Sequence, residues 1–293
     1  MKKDRYQIIT DTVIEQMESL GSDWIKSWST NAMSGHHNIV SKKAYQGTNT
    51  FLTAISSYKN GFQSNEWATY KQWQSKGYSV KKGSKGTDII FFDKIKIEDA
   101  ETKEEKFIPI LKGFSIFNAD QIDGYQTETP EIIKPTFNHE QTERLIANSQ
   151  AIIKHGGSRA FYTSESDFIQ MPHKTDFKDI DGSTAMENYY STLLHELTHW
   201  TGHTSRLDRK LANKFGSNAY AFEELVAEVG SVFLTAMLGI EKKPQPNHAK
   251  YLNNWLEVLK EDKRAMVKAF GLAQKASDYI FAYQDKNQLQ AAE

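Results

Sequence analysis

Residues 191–203 read STLLHELTHWTGH, and this stretch decides how the rest of the sequence is interpreted. His195 and His199 are four residues apart, and Glu196 directly follows the first histidine. On an α-helix, positions i and i+4 share one face at a separation of about 6 Å. The two imidazoles are therefore placed to bind one cation, while Glu196 can act as a catalytic general base on a water molecule beside it. The alternative is an amphipathic helix that carries its histidines incidentally.

A catalytic cation needs a third protein ligand, and the chain has no cysteine to supply one. His203 is eight residues after His195, which is about 12 Å along a helix and too far to share the ion unless Gly202 breaks the helix. The ligand is therefore expected from another element of the chain and from a His, Asp or Glu side chain.

The run YAFEELVAEVGSVFL at 220–234 offers carboxylates within an otherwise apolar helix. Glu224 and Glu228 are i and i+4, and two carboxylates on one face of a helix that buries apolar residues need a compensating cation. We assign Glu224 as the third metal ligand and Glu228 as the acceptor that orients a histidine. Glu223 is expected to lie in solvent. The alternative places both Glu224 and Glu228 on an exposed face.

This ligand set predicts Zn²⁺, with Mn²⁺ as an alternative, and metal-assisted hydrolysis of a peptide bond. Residues 168–172 (FIQMP) are expected to form an edge strand that pairs with an extended peptide. Several tyrosines are candidates to stabilise the oxyanion, and the sequence does not choose among them. They are Tyr162, Tyr189, Tyr190 and Tyr220.

The chain has 293 residues, of which 39% are hydrophobic and 25% charged, which is typical of a globular protein long enough for two domains. Residues 126–138 hold two of the six prolines and are interpreted as a linker between residues 1–125 and 139–293. We predict an α+β fold. It comprises a small α+β N-terminal domain and a mostly helical C-terminal domain with a small sheet.

Four helices matter for locating the motifs. Hydrophobic spacing predicts helices over 5–30, 188–203 and 219–238. Residues 65–77, NEWATYKQWQSKG, are predicted to form a short helix that ends at its glycine.

The first 90 residues are basic, with 12 Lys or Arg against 7 Asp or Glu, and they contain four of the six tryptophans. Aromatic rings beside a cationic groove are what single-stranded nucleic acid binding requires, although a small domain also needs aromatic residues in its core. The glycine turn VKKGSKG at 80–86 suits close approach of the backbone to phosphate. The candidate DNA-binding residues are Lys42, Lys43, Tyr45, Trp67, Lys71, Trp73, Lys81, Lys82 and Lys85.

Membrane and secretory signals are not found in the sequence. No run of apolar residues is long enough for a membrane span, and the basic N-terminus is not followed by the apolar segment of a signal peptide. The lack of cysteine is compatible with a reducing compartment. We expect a cytoplasmic protein without a membrane partner.

Six runs of the sequence resemble the ArdC-type antirestriction proteins of conjugative plasmids and related mobile elements. In the first half they are YQGTNTFL (45–52), EWATYKQWQSKGYSVKKGSKGTDIIFF (66–92) and IFNADQIDG (116–124). In the second half they are RAFYTSESDFIQMP (159–172), YYSTLLHELTHWTGHTSRLDR (189–209) and FGSNAYAFEELVAE (215–228). The likeness covers nearly the whole chain.

The resemblance implies a single-stranded DNA-binding domain over 1–125 and a zincin-like metallopeptidase domain over 139–293. His195, Glu196 and His199 match its metal-binding run. It further implies action in the cytoplasm of a recipient cell, where incoming DNA is protected from restriction. The expected partners are single-stranded DNA, a protein or peptide substrate and the host restriction machinery. The alternative is a non-catalytic protein that binds single-stranded DNA or blocks a restriction enzyme, and in which the metal only stabilises the fold.

Overall fold

The computed structural model describes residues 4–21, 24, 35–98, 105–127, 136–180, 182–209, 211, 217–241 and 248–290. For 93–98, 105–109, 248–250 and 284–290 it describes the backbone alone. The chain divides into two compact units, one of Met1–Arg5 and Gly35–Ile132 and the other of Tyr6–Ser34 and Ile133–Glu293. The predicted α+β class with two domains is confirmed. Most of the predicted linker lies outside the described residues.

The first unit is built on a four-stranded sheet in the order β1-β2-β5-β4. Its strands are β1 (His37–Asn38), β2 (Glu66–Thr69), β4 (Thr87–Glu98) and β5 (Glu105–Asn118). Strands β1 and β2 are parallel, whereas β5 runs antiparallel to both β2 and β4. A separate antiparallel pair is formed by β3 (Ser79–Val80) and β6 (Ile122–Asp123). The helices of this unit are α2 (Thr48–Asn60) and α3 (Tyr70–Ser75).

The helix predicted over 65–77 is wrong in its first part, because Glu66–Thr69 is strand β2. Trp67 is fully buried in this strand, which lies between β1 and β5. Thr69 ends the strand and starts helix α3 with a capping box: its hydroxyl accepts from the Gln72 N–H at 3.3 Å, and the Gln72 side chain accepts from the Thr69 N–H at 2.9 Å. Residues 66–69 thus form a strand because their burial in the sheet outweighs their helical hydrophobic pattern, and the helix begins only after the Thr69 cap.

The second unit combines helices with a three-stranded sheet in the order β7-β9-β8. The strands are β7 (Ile152–His155), β8 (Phe161–Thr163) and β9 (Phe168–Met171). The helices are α1 (Arg5–Leu20, apart from its first residue), α4 (His139–Ser149), α5 (Ala185–Trp200), α6 (Asn218–Leu238), α7 (His248–Glu261) and α8 (Ala265–Gln290). Helices α5, α6 and α8 contact one another around a core that includes the buried side chains of Leu194, Leu197, Leu234 and Ile280.

Helix α1 belongs to the second unit, although the sequence placed it with the N-terminal domain. Thr10 is fully buried, and its hydroxyl donates to the carbonyl of Lys263 at 2.8 Å. Trp24 packs edge-on against Trp255 of α7, with ring centroids 6.3 Å apart. An amphipathic pattern shows which side of a helix is buried but not which surface covers it, so this assignment needed the tertiary structure. The rest of the predicted helix, beyond residue 21, lies mostly outside the described residues.

No helix among the described residues combines the length and the apolar character that a membrane span requires.

Candidate metal centre

Helices α5 and α6 both start at well-defined caps, which fixes where their side chains point. Thr184 precedes α5 and forms a capping box with Glu187, whose carboxylate accepts the Thr184 N–H at 2.9 Å. Ser217 precedes α6, and its hydroxyl accepts from the Tyr220 N–H at 3.2 Å. Helix α6 ends at Gly239, which has φ 68°. Such caps stabilise each helix and set the phase of its faces.

The two helices approach closely at Gly230 of α6. A Cβ placed on this glycine would lie 2.6 Å from Cγ2 of Thr198 on α5, so any larger residue would push the helices apart. Thr198 and Gly230 are both buried. This contact presses the histidine face of α5 against the carboxylate face of α6.

The predicted ligands are brought together by this packing. His195 Nε2 lies 3.5 Å from one carboxylate oxygen of Glu224, and His199 Nε2 lies 3.5 Å from the other. One ligand atom from each of the three residues can be chosen so that all lie within 4.8 Å of one another. Two imidazoles and a carboxylate, all largely buried, are a donor set that suits a divalent cation such as Zn²⁺ or Mn²⁺. The residues present therefore fit the predicted metal.

Each histidine meets a different carboxylate at its second ring nitrogen. His195 Nδ1 is 3.4 Å from Glu228, which is fully buried, and His199 Nδ1 is 3.2 Å from Glu223. A carboxylate at Nδ1 fixes the ring orientation and the tautomer, so that Nε2 is left for the cation. The structure places Glu228 where the predicted orienting role requires it.

The prediction that Glu223 lies in solvent is wrong. Its side chain is buried, and it accepts from Arg209 Nη2 at 2.8 Å and Nε at 3.1 Å. Arg209 also donates to the carbonyl of Thr198 and to the hydroxyl of Thr201, both at 2.7 Å. The loop after α5 thus places the Arg209 guanidinium beside Glu223. This positive charge neutralises a carboxylate that the helical pattern alone would expose.

Charges in the site perturb the pKa of its members strongly. Burial alone would lower the pKa of His195, but Glu224 and Glu228 raise it to about 9. Burial likewise opposes protonation of His199, but Glu223 and Glu224 raise its pKa to about 10. Burial would raise the pKa of Glu224, yet both histidines hold it far below its usual value. A cation that binds Nε2 must therefore displace a proton from each imidazole.

Glu196 lies at the wall of the same cavity, which has a volume of about 660 Å³. Its side chain is largely buried, and this burial raises its pKa. His195, His199 and a hydrogen bond from the backbone N–H of Tyr162 act in the opposite direction on the pKa of Glu196. The predicted general base thus lines the same cavity as the predicted ligands but does not belong to their cluster.

The structure separates the four candidate tyrosines. Tyr220 lines the cavity and hydrogen-bonds to Glu224. Tyr162 also lines it, but its hydroxyl donates to Asp167 at 2.9 Å. The remaining two have hydroxyl partners elsewhere: Tyr189 pairs with His155 Nε2, and Tyr190 donates to Glu143.

Tyr251 is a cavity residue that sequence reasoning missed. Its hydroxyl is 3.3 Å from that of Tyr220, and its ring stacks on Trp255 with centroids 6.0 Å apart. Tyr251 lies on α7, far in the sequence from the metal-binding motif. The one sequence feature that could have pointed to it is the i, i+4 spacing of Tyr251 and Trp255, which places two aromatic rings on one face of a helix.

The prediction that residues 168–172 form an edge strand for an extended peptide is also wrong. Residues 168–171 form β9, which is the central strand of its sheet, and Ile169 and Met171 are fully buried. The strand that lies at the sheet edge and lines the cavity is β8, Phe161–Thr163. The apolar alternation of β9 marks a buried strand, but a strand's position in the sheet follows from pairing partners that the sequence does not show.

The prediction that Trp67 and Trp73 bind DNA is wrong as well. Trp67 and Trp73 are both fully buried, and their indole N–H groups donate to His36 Nδ1 at 2.9 Å and to the Phe117 carbonyl at 3.1 Å. A ring without exposed surface cannot stack on a base. Tyr45 is partly buried against the cluster around Trp67. Trp67 and Trp73 are therefore core residues, as the alternative reading of the aromatic-rich composition proposed.

The six predicted lysines are all exposed and fall into two groups. The first group is Lys42, Lys43 and Lys71. Lys42 and Lys43 lie in the turn after β1, and Lys71 lies on α3. Asn38 links the two segments, because its side chain donates to that of Gln72 on α3 at 3.0 Å. The second group lies in the turn before β4: Lys81, Lys82 and Lys85. Gln121 anchors this turn by donating to the Lys85 carbonyl at 2.9 Å.

Comparison with known families also divides the chain in two, although the first match includes helix α1, which belongs to the second unit of the fold. Residues 3–117 match the N-terminal domain of the anti-restriction factor ArdC, and residues 140–271 match a zincin-like metallopeptidase. The chain is 33% identical over 294 residues to the uncharacterized protein y4eC of Sinorhizobium fredii, covering 97% of this chain and 94% of that protein. It is 36% identical over 315 residues to the DNA primase TraC of Escherichia coli, covering 98% of this chain but only 28% of TraC.

Two solved structures show the same architecture over nearly the whole chain. The crystal structure of metal-free ArdC from plasmid R388 is 37% identical, with a TM-score of 0.79 and coverage of 97% of this chain and 99% of that one. The Mn(II)-bound structure of the same protein is 35% identical, with a TM-score of 0.79 and coverage of 96% and 98%. The chain is therefore a member of the ArdC family of antirestriction proteins, with an ArdC-type N-terminal domain and a zincin-like metallopeptidase domain.

Proposed function

We propose that the second unit is a metal-dependent peptidase centre and that the first unit binds single-stranded DNA, the two serving the protection of incoming DNA from restriction. The observation that carries the peptidase proposal is the convergence of His195, His199 and Glu224 from two helices, with Glu196 beside them in one cavity. The protection role rests on the family to which the chain belongs, and it would be exercised in the cytoplasm.

In this proposal His195, His199 and Glu224 hold Zn²⁺, with Mn²⁺ as the alternative that a solved relative supports. When bound, such a cation supplies Lewis-acid chemistry to a carbonyl group and to water. Glu223 and Glu228 hold the two imidazoles in place through Nδ1. Arg209 balances the charge of Glu223 and so retains that carboxylate inside the protein.

Glu196 accepts the proton of the attacking water and then delivers it to the leaving amine nitrogen. Burial raises the pKa of its carboxyl group, which brings it closer to the working pH and improves proton transfer in both directions. Tyr220 lies in the cavity, and its hydroxyl would exchange its hydrogen bond to Glu224 for one to the developing oxyanion, with the Tyr251 hydroxyl 3.3 Å away as a second partner. An extended peptide would lie along the edge strand β8.

The test of the peptidase proposal is Glu196→Gln, which keeps the shape of the side chain but removes the base. The purified full chain is incubated with a peptide library, and fragments are identified by mass spectrometry. We expect the metal content to remain unchanged and cleavage to fall by about 10²-fold or more. The matched control is Glu165→Gln, an exposed glutamate at the wall of the same cavity. Equal cleavage by wild type and Glu196→Gln would contradict the proposal.

A structural role for the cation is the second candidate, and one observation favours it. Glu223, Glu224 and Glu228 are 7%, 9% and 0% exposed on a single helix, so the unit buries three carboxylates that a divalent cation would help to neutralise. Protection of transformed DNA in cells that carry a restriction enzyme separates the two candidates. If Glu196→Gln protects fully and His199→Ala does not, the metal supports the fold and the peptidase role is excluded.

The DNA-binding proposal is supported by the surface charge of the first unit. Among the described side chains of residues 35–127, nine lysines are exposed, compared with only two acidic residues, Asp120 and Asp123. Such a surface attracts a phosphate backbone and releases its counterions on binding. The exposed lysines are Lys42, Lys43, Lys59, Lys71, Lys76, Lys81, Lys82, Lys85 and Lys112.

A salt titration tests the DNA-binding proposal. The affinity for a labelled oligothymidylate is measured across ionic strength for wild type, for a Lys81→Gln, Lys82→Gln double variant and for Lys178→Gln, an exposed lysine of the second unit. Each lost phosphate contact should reduce the slope of log affinity against log salt by about 0.7. A double variant with the slope of wild type would exclude the turn before β4 as the phosphate contact.

A further inference from the structure

We propose that Phe91 and Phe114 form a platform on which unpaired bases of single-stranded DNA stack, on one exposed face of the β4–β5 hairpin. This inference rests on the DNA-binding function proposed for the first unit and names the site that the buried tryptophans do not provide. The hairpin platform, as we call the two residues, contains none of the residues that the sequence analysis selected.

Both rings are exposed and adjacent. Phe91 is 48% exposed and Phe114 is 42% exposed. Their centroids are 5.5 Å apart, and the ring planes meet at 84°. An edge-on pair of this kind fixes each ring against the other, so little side-chain entropy remains to be lost when a ligand binds.

Strand register places the two rings on the same face of the sheet. Phe114 is the cross-strand partner of Ile89, and Phe91 follows Ile89 by two residues. Because cross-strand partners share a face and alternate residues of a strand do so as well, the three side chains lie on one side. Phe92, by the same alternation, lies on the opposite side and is 61% exposed.

This face changes abruptly from core to surface along the strand. Ile89 is 2% exposed and belongs to a cluster with Trp67 and Ile116. Two residues further along β4, the same face presents a phenylalanine with about half of its surface in water. A phenyl ring has no polar group that benefits from water, so a rigid pair of exposed rings at the border of a core indicates a surface that contacts a ligand.

The charge of the surrounding unit selects the ligand. The nine exposed lysines among the described side chains of the first unit favour a polyanion over an apolar peptide or a second copy of the same basic surface. Single-stranded DNA combines phosphates with flat apolar bases, and stacking on aromatic rings holds those bases without regard to their identity. Paired bases in a duplex are not free to stack on a protein ring, so the platform distinguishes single from double strands.

The experiment replaces the rings while keeping an apolar side chain. A Phe91→Leu, Phe114→Leu double variant retains the hydrophobic surface but removes the π faces, and Phe92→Leu is the matched control on the opposite face. Affinity for a labelled oligothymidylate is measured by anisotropy, and thermal unfolding confirms that each variant is folded. We expect the double variant to lose affinity by on the order of tenfold for each ring, with the salt slope unchanged, because stacking releases no counterions.

A second variant and the oligomeric state complete the test. Phe91→Trp keeps a stacking face and should retain or increase the affinity for the oligothymidylate. The inference is overturned if the double leucine variant binds as wild type while the Lys81→Gln, Lys82→Gln variant binds more weakly, and in that case the DNA-binding function itself survives. It is also overturned if the leucine substitutions change the oligomeric state in light scattering and not the DNA affinity, because the rings then form a contact between copies. If wild type does not bind the oligothymidylate, both the platform and the DNA-binding function are rejected.

Discussion

Gly230 of α6 and Thr198 of α5 are so close that a Cβ on the glycine would lie 2.6 Å from the threonine methyl group. Replacement of Gly230 by alanine should therefore force the two helices apart at the level of the proposed metal ligands. Overpacking of this kind costs about 1–3 kcal/mol, and the better helix propensity of alanine returns about 1 kcal/mol, so a net destabilisation of about 1 kcal/mol is expected. Chemical denaturation measures it.

The matched control for Gly230→Ala removes the methyl group that it meets. Thr198→Ser keeps the hydroxyl that donates to the Leu194 carbonyl at 2.8 Å but deletes Cγ2. The double variant should recover stability and metal affinity relative to Gly230→Ala alone. No recovery would show that the cost arises elsewhere in α6.

Removal of one histidine should abolish tight metal binding. His199→Ala leaves one imidazole and Glu224, which cannot hold a cation firmly at neutral pH. We expect the metal content of the purified protein to fall and the increase in melting temperature on metal addition to disappear. His203→Ala is the control, because His203 is bonded to Ser205 at 2.8 Å and lies outside the ligand cluster. A metal content of His199→Ala equal to that of wild type would rule out the proposed site.

Glu223 should tune the metal site without touching the metal. Glu223→Gln removes the charge that faces His199 Nδ1 and that pairs with Arg209. Loss of such a partner typically weakens metal affinity by about 10–100-fold. Competition with a chelator measures the change, and Glu165→Gln, which alters an exposed carboxylate at the cavity wall, should leave the affinity as in wild type.

The ion pair of Asp167 with Arg206 predicts a pH dependence of stability. The hydrogen bond from Arg206 lowers the pKa of Asp167 against the opposing effect of burial. A carboxyl group with a depressed folded-state pKa contributes stability above its unfolded pKa of about 3.9 and loses it as the pH falls through the lower folded value.

Asp167→Asn tests this dependence, and asparagine tolerates the φ of 46° found at this position. The variant should be less stable by about 1 kcal/mol at neutral pH, a modest value because Asp167 is partly exposed. The difference from wild type should shrink below about pH 4. Urea denaturation at several pH values measures it, and a difference that stays constant with pH would contradict the role of the ion pair.

Much of the candidate site could be predicted because local spacing controls it. The i, i+4 geometry of one helix sets His195 beside His199, and the same geometry sets Glu224 beside Glu228. Hydrophobic spacing located helix α5 to within three residues at each end, whereas the capping box of Thr184 and Glu187 that sets its start became evident only in the structure. Glu223 was misplaced because its partner, Arg209, reaches it through a loop, and loop paths leave no periodic signal.

Sequence alone determined which residues could bind a cation, since ligand type and helical spacing are local properties, and its family resemblance is confirmed. Only the tertiary structure decided which rings are core and which are surface. Trp67 and Trp73 are buried, whereas Phe91 and Phe114 are exposed. The sequence analysis had selected the two tryptophans for stacking and neither phenylalanine. Burial depends on what packs against each face of a sheet or helix, and that packing joins segments far apart in the chain, as Trp24 and Trp255 show.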